Sequence, residues 1–459
     1  MQHLHHAKLF IACCAMLFPG GISAANIAPL DFADTQYDFV TFADLDGWSA
    51  DKQAQVFAGF RKSCEVILKR KETAAARPME NALRDVCPRA LALPENTGDE
   101  AAKKFFETNF RPVRVSKLGE TTGLLTGYYE PEVEGSLTLT KGFTVPLYRR
   151  PPELISKARL GKRVLRAGFP STGGAGHRVN GKFVEYHDRA AIEDGALAGR
   201  GLEIVWLRDA ADAFFIQIQG SARIRLPDGK LVRVNYAAHN GHTFTPIGRN
   251  LIATGIVPRD EISMETIRMF IAEMPEEGRE LMRQNKAFTF FRIVDNLPPD
   301  SEAVGAQGLS LVKERSIAVD NKLHVYGTPF WIEAKLQLQN TKEGQPFNRL
   351  MIAQDTGSAI VGIARADIYF GGGADAGAIA GRIRNPGAFF MLVPNEIDPV
   401  RLAAAANIPN PDYRPEPEKK EPPKADEQKK DAQKKEAQKK EEPKPDAQKD
   451  APKKDEPKK

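Results

Sequence analysis

The chain has 459 residues, 42% of them hydrophobic and 27% charged, which is enough for two or three domains with real cores. Its net charge is +5; residues 416–459, with 15 Lys against 13 Asp plus Glu, carry +2 of that, leaving +3 for everything before them. A near-neutral body lacks the concentrated basic face that phosphate binding requires, which argues against nucleic acid as the main partner.

Residues 1–25 have the build of a secretory signal. Lys8 and three histidines precede the apolar run from Leu9 to Phe18, and Ile22-Ser23-Ala24 offers a small-residue cleavage site. The run is shorter than the ~20 apolar residues that span a bilayer. A lipid on Cys13 is the competing reading, with Phe10-Ile11-Ala12 a poor lead-in for it. Cleavage after Ala24 leaves Cys64 and Cys87, which read either as one disulfide of an oxidising compartment or as two buried thiols.

Residues 51–71 predict a helix, with Val56, Phe57, Phe60, Cys64, Ile67 and Leu68 on one face and Asp51 as its cap. A second helix is predicted over 99–109, with Phe105, Phe106 and Phe110 on one side. Both read as a layer packed on a later core. Leu124 to Pro131 reads as a strand ending in a kink. Its paired Tyr128 and Tyr129 can offer flat faces to a sugar, or can be ordinary strand residues.

Residues 132–235 read as a β-rich unit. A hairpin is predicted from Phe214 to Leu226, turning at Pro227-Asp228-Gly229-Lys230 and returning as Leu231 to Tyr236. Gln217, Gln219, Ser221 and Asn235 lie along it. The glycine-rich run from Ser171 to Gly176 lacks the Lys-Ser or Lys-Thr of a phosphate loop. His239-Asn240-Gly241-His242 brings two histidines three apart without further metal ligands nearby, and reads as a polar-edged turn. Helices are predicted at 246–254, 263–273 and 276–284.

From 288 to 394 the pattern is strands: Phe288 to Ile293, Ser316 to Asp320, Pro329 to Leu336, Arg349 to Asp355, Ala366 to Phe370 and Phe389 to Val393. Short strands at this spacing suggest a small closed barrel. Within it, Asp355 and Asp367 sit in an apolar, glycine-rich run. Burial raises a carboxyl's pKa, and an acid kept partly protonated near neutrality is what proton donation needs. Asp355 reads equally as a turn cap through its own backbone; Asp367, wedged between strand residues, reads as the acid. From about 409 the chain is Pro, Glu, Asp, Lys, Gln and Ala. That composition predicts a disordered tail, either inert or in contact with an anionic wall or membrane face.

Several of these stretches, in this order over 105–395, resemble the membrane-bound lytic murein transglycosylase A family. They are Thr126-Gly127-Tyr128-Tyr129-Glu130-Pro131, Gln219-Gly220-Ser221, Asn240-Gly241-His242, Asn285 to Phe291, and Asp355 to Ile360 with Asp367. The segment from Asp320 to Phe370 is similar to the three-aspartate domain that ends this family. The resemblance implies a mainly β fold with flanking helices, a double-psi β-barrel domain with a smaller β-barrel domain inserted into it. On that reading residues 26–131 are a helical part plus the first barrel strands, 132–236 the insert, and 237–400 the rest of the barrel. A groove between the two would hold a glycan strand of peptidoglycan.

The implied reaction cuts the β-1,4 bond from N-acetylmuramic acid to N-acetylglucosamine and leaves a 1,6-anhydro end, in the periplasm or cell envelope. Asp367 matches the catalytic aspartate, Asp355 an assisting one and Asp320 the first of the set. Thr126, Tyr128, Tyr129, Gln219, Ser221, Asn240, Gly241 and Asp320 are expected at the substrate, with no cofactor and no metal. The spacing from Asp355 to Asp367 is one residue longer than the family's, which a bulge before Asp367 would absorb. Two readings compete. Asp355-Thr356-Gly357-Ser358 also matches the tetrad of aspartic proteases; these need a second such aspartate, which this chain lacks and a homodimer would supply. A barrel of this kind can also bind wall polysaccharide without cutting it.

Overall fold

The computed structural model describes residues 34–71, 77–156, 174–294, 301–339 and 343–397. The predicted signal segment, Cys13, the first half of the glycine-rich run and the tail from 409 lie outside them.

The helical layer forms where apolar periodicity predicts it. Helix α1 (Gln53–Lys69) buries Val56, Phe57, Phe60, Cys64 and Ile67 on one face. Asp51 is not its cap. Lys52 holds that position without a side-chain bond, and the Asp51 carboxylate instead pairs with Arg315 at 2.8 Å and accepts the Leu350 amide at 3.1 Å. Helix α2 (Pro78–Ala92), absent from the sequence reading, starts on a proline whose fixed φ suits the first helical turn. Cys64 and Cys87 are joined as a disulfide across α1 and α2, their Cα atoms 5.0 Å apart. Helix α3 (Asp99–Asn109) sets Phe105 against Phe57 at 5.0 Å between ring centroids and Phe106 against Phe60 at 5.7 Å. Each buried ring contributes ~1.5–3 kcal/mol from lost water contact.

Strands β1 (Thr35–Phe39), β2 (Phe110–Lys117) and β3 (Gly123–Glu130) follow the layer in space. The next stretch supplies β4 (Glu132–Ser136), β5 (Val145–Tyr148), β6 (Ile155–Ser156), β7 (Ala175–Val179), β8 (Lys182–Glu185) and β9 (Glu203–Leu207). It continues with α4 (Ala210–Gln219), β10 (Ser221–Arg225), β11 (Leu231–His239), α5 (Gly248–Ala253), α6 (Met264–Glu273), α7 (Pro275–Arg283) and β12 (Thr289–Val294). The last stretch holds β13 (Ser316–Val319), β14 (Pro329–Leu336), β15 (Gln345–Asp355), β16 (Arg365–Gly372), α8 (Gly373–Ala380) and β17 (Arg384–Pro394).

The ring β17-β14-β15-β13-β16-β3 closes through the pairing of β3 with β17, giving a closed six-stranded barrel, and β2 and β1 extend from the remaining length of β17. Its core merges with the helical layer: Phe57, Phe60, Phe106, Trp331, Ile352, Ile368 and Phe390 belong to one apolar cluster.

The second sheet runs β12-β11-β10-β4-β9-β5, and a third runs β6-β7-β8; all their strands lie in sequence between β3 and β13. Two expectations are corrected here. Strand β12 belongs to this sheet, not the barrel, because it pairs antiparallel with β11 and buries Phe290 and Phe291 on this side. The hairpin is also shorter than predicted. Residues from Ala210 to Gln219 are helix α4, capped by the Asp209 carboxylate, which accepts the Ala211 amide at 2.7 Å. Gly220 at φ +85° then ends the helix, and β10 begins. Helix α4 is buried from Phe214 through Gln217, so the one-sided periodicity that marks a surface helix is missing.

Candidate active site

Strand β16 lies parallel to β3, with Asp367 opposite Thr126 and Tyr369 opposite Tyr128. On its other side β13 places Ala318 opposite Asp367. Ala318 also faces Asp355 on β15, because a bulge there skips Gln354. A single row therefore crosses four strands: Asp355, Ala318, Asp367, Thr126. Side chains alternate along each strand. Asp367 and Tyr369 face this row, while Ala366, Ile368 and Phe370 turn into the main core. The bulge is fixed by Gln354, which accepts the Ser316 hydroxyl at 2.6 Å and donates to the Gly59 carbonyl at 3.2 Å on α1.

Both carboxyls are half-buried. Asp355 is held by three donors: the Tyr128 hydroxyl at 2.9 Å on Oδ2, and the Ala306 and Thr356 amides, each at 2.8 Å, on Oδ1. Burial nonetheless pushes it up to about 6, with the Asp367 charge adding to the push and the three donors opposing it. Asp367 accepts the Thr126 hydroxyl at 2.6 Å on Oδ1. Burial raises it above the usual carboxylate range, against the pull of the Arg365 charge and of Thr126. Arg365 in turn donates to Thr126 Oγ1 at 2.8 Å. The Tyr128 hydroxyl is itself driven upward by burial and by the Asp355 charge, so it stays a donor. The result is a carboxyl held above its usual range beside an ordered second carboxyl.

The remaining expected site residues divide. Asp320 is 6% exposed, and its two oxygens accept the Lys322 and Gly362 amides at 3.0 Å each. It pins the 356–362 turn beside Asp355 and does not present itself to a ligand. Tyr128 and Tyr129, 8% and 7% exposed, offer no open ring face. Tyr128 packs on Tyr369 at 5.3 Å. Tyr129 points from the other face of β3 into the core, where a Cβ on Gly377 would lie 2.7 Å from its ring. Gln219 reaches β3 by accepting the Tyr129 amide at 3.1 Å, and Ser221 begins β10, opposite Asn235.

Asn240 and Gly241 make no hydrogen bond to Asp355 or Asp367. Asn240 is 0% exposed, and its carboxamide is spent on the carbonyls of His187 and Lys286 and on the Phe288 amide. Gly241 sits at φ +90°, where a Cβ would lie 2.1 Å from the Ala175 nitrogen. Both brace a loop. No bulge interrupts β16 at Asp367 either; it pairs in register with β3 from Arg365 to Tyr369, so the longer spacing is absorbed outside the strand.

Sequence reasoning missed Arg365 and an ionic junction at the other end of β3. Glu130, 0% exposed at its side chain, meets Arg223 at 2.8 Å and Arg233 at 2.9 Å. Tyr369 donates to Glu302 at 2.8 Å, and Glu302 lies 3.8 Å from Arg223. A signal existed: Arg223 and Arg233 are directly opposed on β10 and β11, a like-charge pair that calls for a buried anion.

Residues 124–292 match the family described as the MltA specific insert domain, and residues 315–393 match the 3D domain. The crystal structure of a membrane-bound lytic murein transglycosylase from Agrobacterium tumefaciens is 38% identical; the alignment covers 78% of this chain and 98% of that one, with a TM-score of 0.68. The chain belongs to the membrane-bound lytic murein transglycosylase A family. The membrane-bound lytic murein transglycosylase A of Escherichia coli is 33% identical over 58% of this chain and 64% of its own length. The chain thus spans somewhat under two thirds of that curated relative. The structure of Escherichia coli MltA with bound chitohexaose aligns over 82% of this chain and 98% of that one, at 26% identity and a TM-score of 0.56. In this member of the family the 3D domain contains Asp320, Asp355 and Asp367, and the insert match takes in Thr126 and Tyr128.

Proposed function

We propose that this protein is a lytic transglycosylase of peptidoglycan, cutting the β-1,4 bond from N-acetylmuramic acid to N-acetylglucosamine with a single acid, Asp367. The observation that carries the reading is the raised Asp367 carboxyl in a row with Asp355 and Thr126. The activity for which the family relatives are named and the chitohexaose bound to one of them support it. Ordinary glycosidases need two carboxyls, one for the leaving group and one as nucleophile or base. Here protonated Asp367 gives its proton to the glycosidic oxygen as the bond to C1 breaks. Positive charge builds on the muramic ring. The Asp367 carboxylate then removes the proton of that sugar's C6 hydroxyl, whose oxygen closes on C1 to give the 1,6-anhydro product. An attacking group within the substrate gains from proximity and makes water unnecessary. The Tyr128 hydroxyl and the Ala306 and Thr356 amides keep the second carboxyl, Asp355, fixed beside the acid.

The finer fold belongs to the same proposal: the closed six-stranded ring is a double-psi barrel, and residues between β3 and β13 are a smaller barrel domain inserted into it. The disulfide fits an oxidising envelope compartment. Among the described residues no helix is long and apolar enough to cross a membrane.

An aspartic-protease dyad finds no support. Asp355 and Asp367 are each held by their own donors, with Ala318 between them in the sheet. Asp367→Asn should lower turnover of purified sacculi by about 10³-fold or more, read as 1,6-anhydromuropeptides by mass spectrometry. A variant with undiminished release ends the assignment, and binding without any released product in the parent protein would favour a non-catalytic wall binder.

A further inference from the structure

Arg365 stands two residues before Asp367 on β16, so strand alternation puts the two on one face. A guanidinium has five donors and no acceptor. Its contact with Thr126 Oγ1 at 2.8 Å therefore makes the threonine oxygen the acceptor. Thr126 has one hydroxyl proton to give, and Asp367 Oδ1 lies 2.6 Å away. The direction of the chain follows: Arg365 donates to Thr126, and Thr126 donates to Asp367 Oδ1. The carboxyl oxygen that receives this bond is the poorer seat for an acid proton. Among the described residues none donates to Oδ2.

We propose that Arg365 and Thr126 form a positioning pair that fixes which oxygen of Asp367 carries the transferable proton, committing Oδ1 to the hydroxyl and leaving Oδ2 to deliver and recover it. The inference rests on the reading of Asp367 as the acid. Oδ2–H gives its proton to the glycosidic oxygen, and the carboxylate left behind is stabilised by the Thr126 bond and the Arg365 charge. It then takes the C6 hydroxyl proton back on Oδ2, so the pair is unchanged after the cycle. The other ionisable groups facing this position are Asp355 on β15, Tyr128 on β3 and Tyr369 on β16. Asp355 and Asp367 repel as anions, while the two phenols stay neutral. Arg365 is the cation that offsets that repulsion.

The test is the pH profile of kcat and KM for the full chain on soluble, uncross-linked glycan strands. Arg365→Gln should move the alkaline limb of kcat upward by roughly one pH unit, since losing a neighbouring cation raises a carboxyl. It should also lower kcat about tenfold while KM stays within about twofold. Arg365→Lys keeps the charge and should keep the limb where the parent has it. Thr126→Val should shift the limb in the same direction, and adding Arg365→Gln to it should shift it little further. Alkaline limbs in Arg365→Gln and Thr126→Val that coincide with the parent's overturn the pair. If Asp367→Asn is inactive in that same experiment, only this inference falls; if Asp367→Asn is fully active, the acid itself was misassigned.

Discussion

Asp355 shows how burial and hydrogen bonding compete for one carboxyl. Three donors favour its anion, yet burial holds it at about 6. A carboxyl whose folded pKa is raised binds its proton more tightly in the native state than in the unfolded one. Its contribution to stability is complete below the unfolded value of 3.8 and is lost as pH rises through about 6. Asp355→Asn removes that titration. The melting temperature at pH 4 should therefore fall relative to that at pH 7.5 in the variant compared with the parent, and an unchanged difference would show that Asp355 does not titrate in this window. Asp355 and Asp367 stood out in the sequence as carboxyls in an apolar, glycine-rich run, and the local turn bond that Asp355 makes to the Thr356 amide was the bland alternative that the pattern also offered. Arg365 was not legible, since a lone arginine at a strand start looks like a solvated side chain until β3 is known to lie beside it. The bracing role of Asn240 was not legible for the converse reason. Sequence shows a polar residue but not that it is 0% exposed with its carboxamide fully used.

Among the elements, the helical layer is tied to itself by Cys64–Cys87, which closes a loop of sequence separation 23. Chain-entropy arguments give such a closure about 3 kcal/mol. Cys64→Ala with Cys87→Ala should lower the unfolding free energy by roughly that amount in denaturant titrations, and mild reductant should do the same to the parent. Most barrel strands were legible, with β14 matching to the residue, because β-branched and aromatic runs between Gly and Pro have few other uses. Helix α2 was not, because Pro88 within it and its many charged residues obscure the apolar stripe of Met79, Leu83, Val86 and Ala90. Helix α4 was read as a strand because its Phe214-Phe215-Ile216 run is buried nearly all round. Local pattern reports which side faces water, and where no side does, it carries no period.

At the scale of the molecule, the barrel and the second sheet meet through charge. Glu130 on β3 is clamped by Arg223 and Arg233, with Glu302 and Tyr369 alongside. Burial raises Glu130 above its usual range, and the two arginines oppose that rise. Glu130→Gln would leave two arginines facing each other across β10 and β11 without their anion. Removing one partner of a buried ion pair costs on the order of 3–5 kcal/mol, so this variant should unfold at clearly lower denaturant concentration than the parent. Glu302→Gln, half-exposed at the edge of the cluster, should cost far less. A Glu130→Gln protein as stable as the parent would mean that the junction is incidental to the fold.

The strand that bears Thr126 and Tyr128 is also the one that bears Glu130, and only Pro131 separates it from β4 of the second sheet. There is no slack in that connection: the Pro131 carbonyl is held by the Arg223 amide at 2.8 Å. A displacement of the second sheet would therefore reach Thr126 within five residues of chain. The link between the two sheets and the side chains facing Asp367 and Asp355 runs through the same few peptide units.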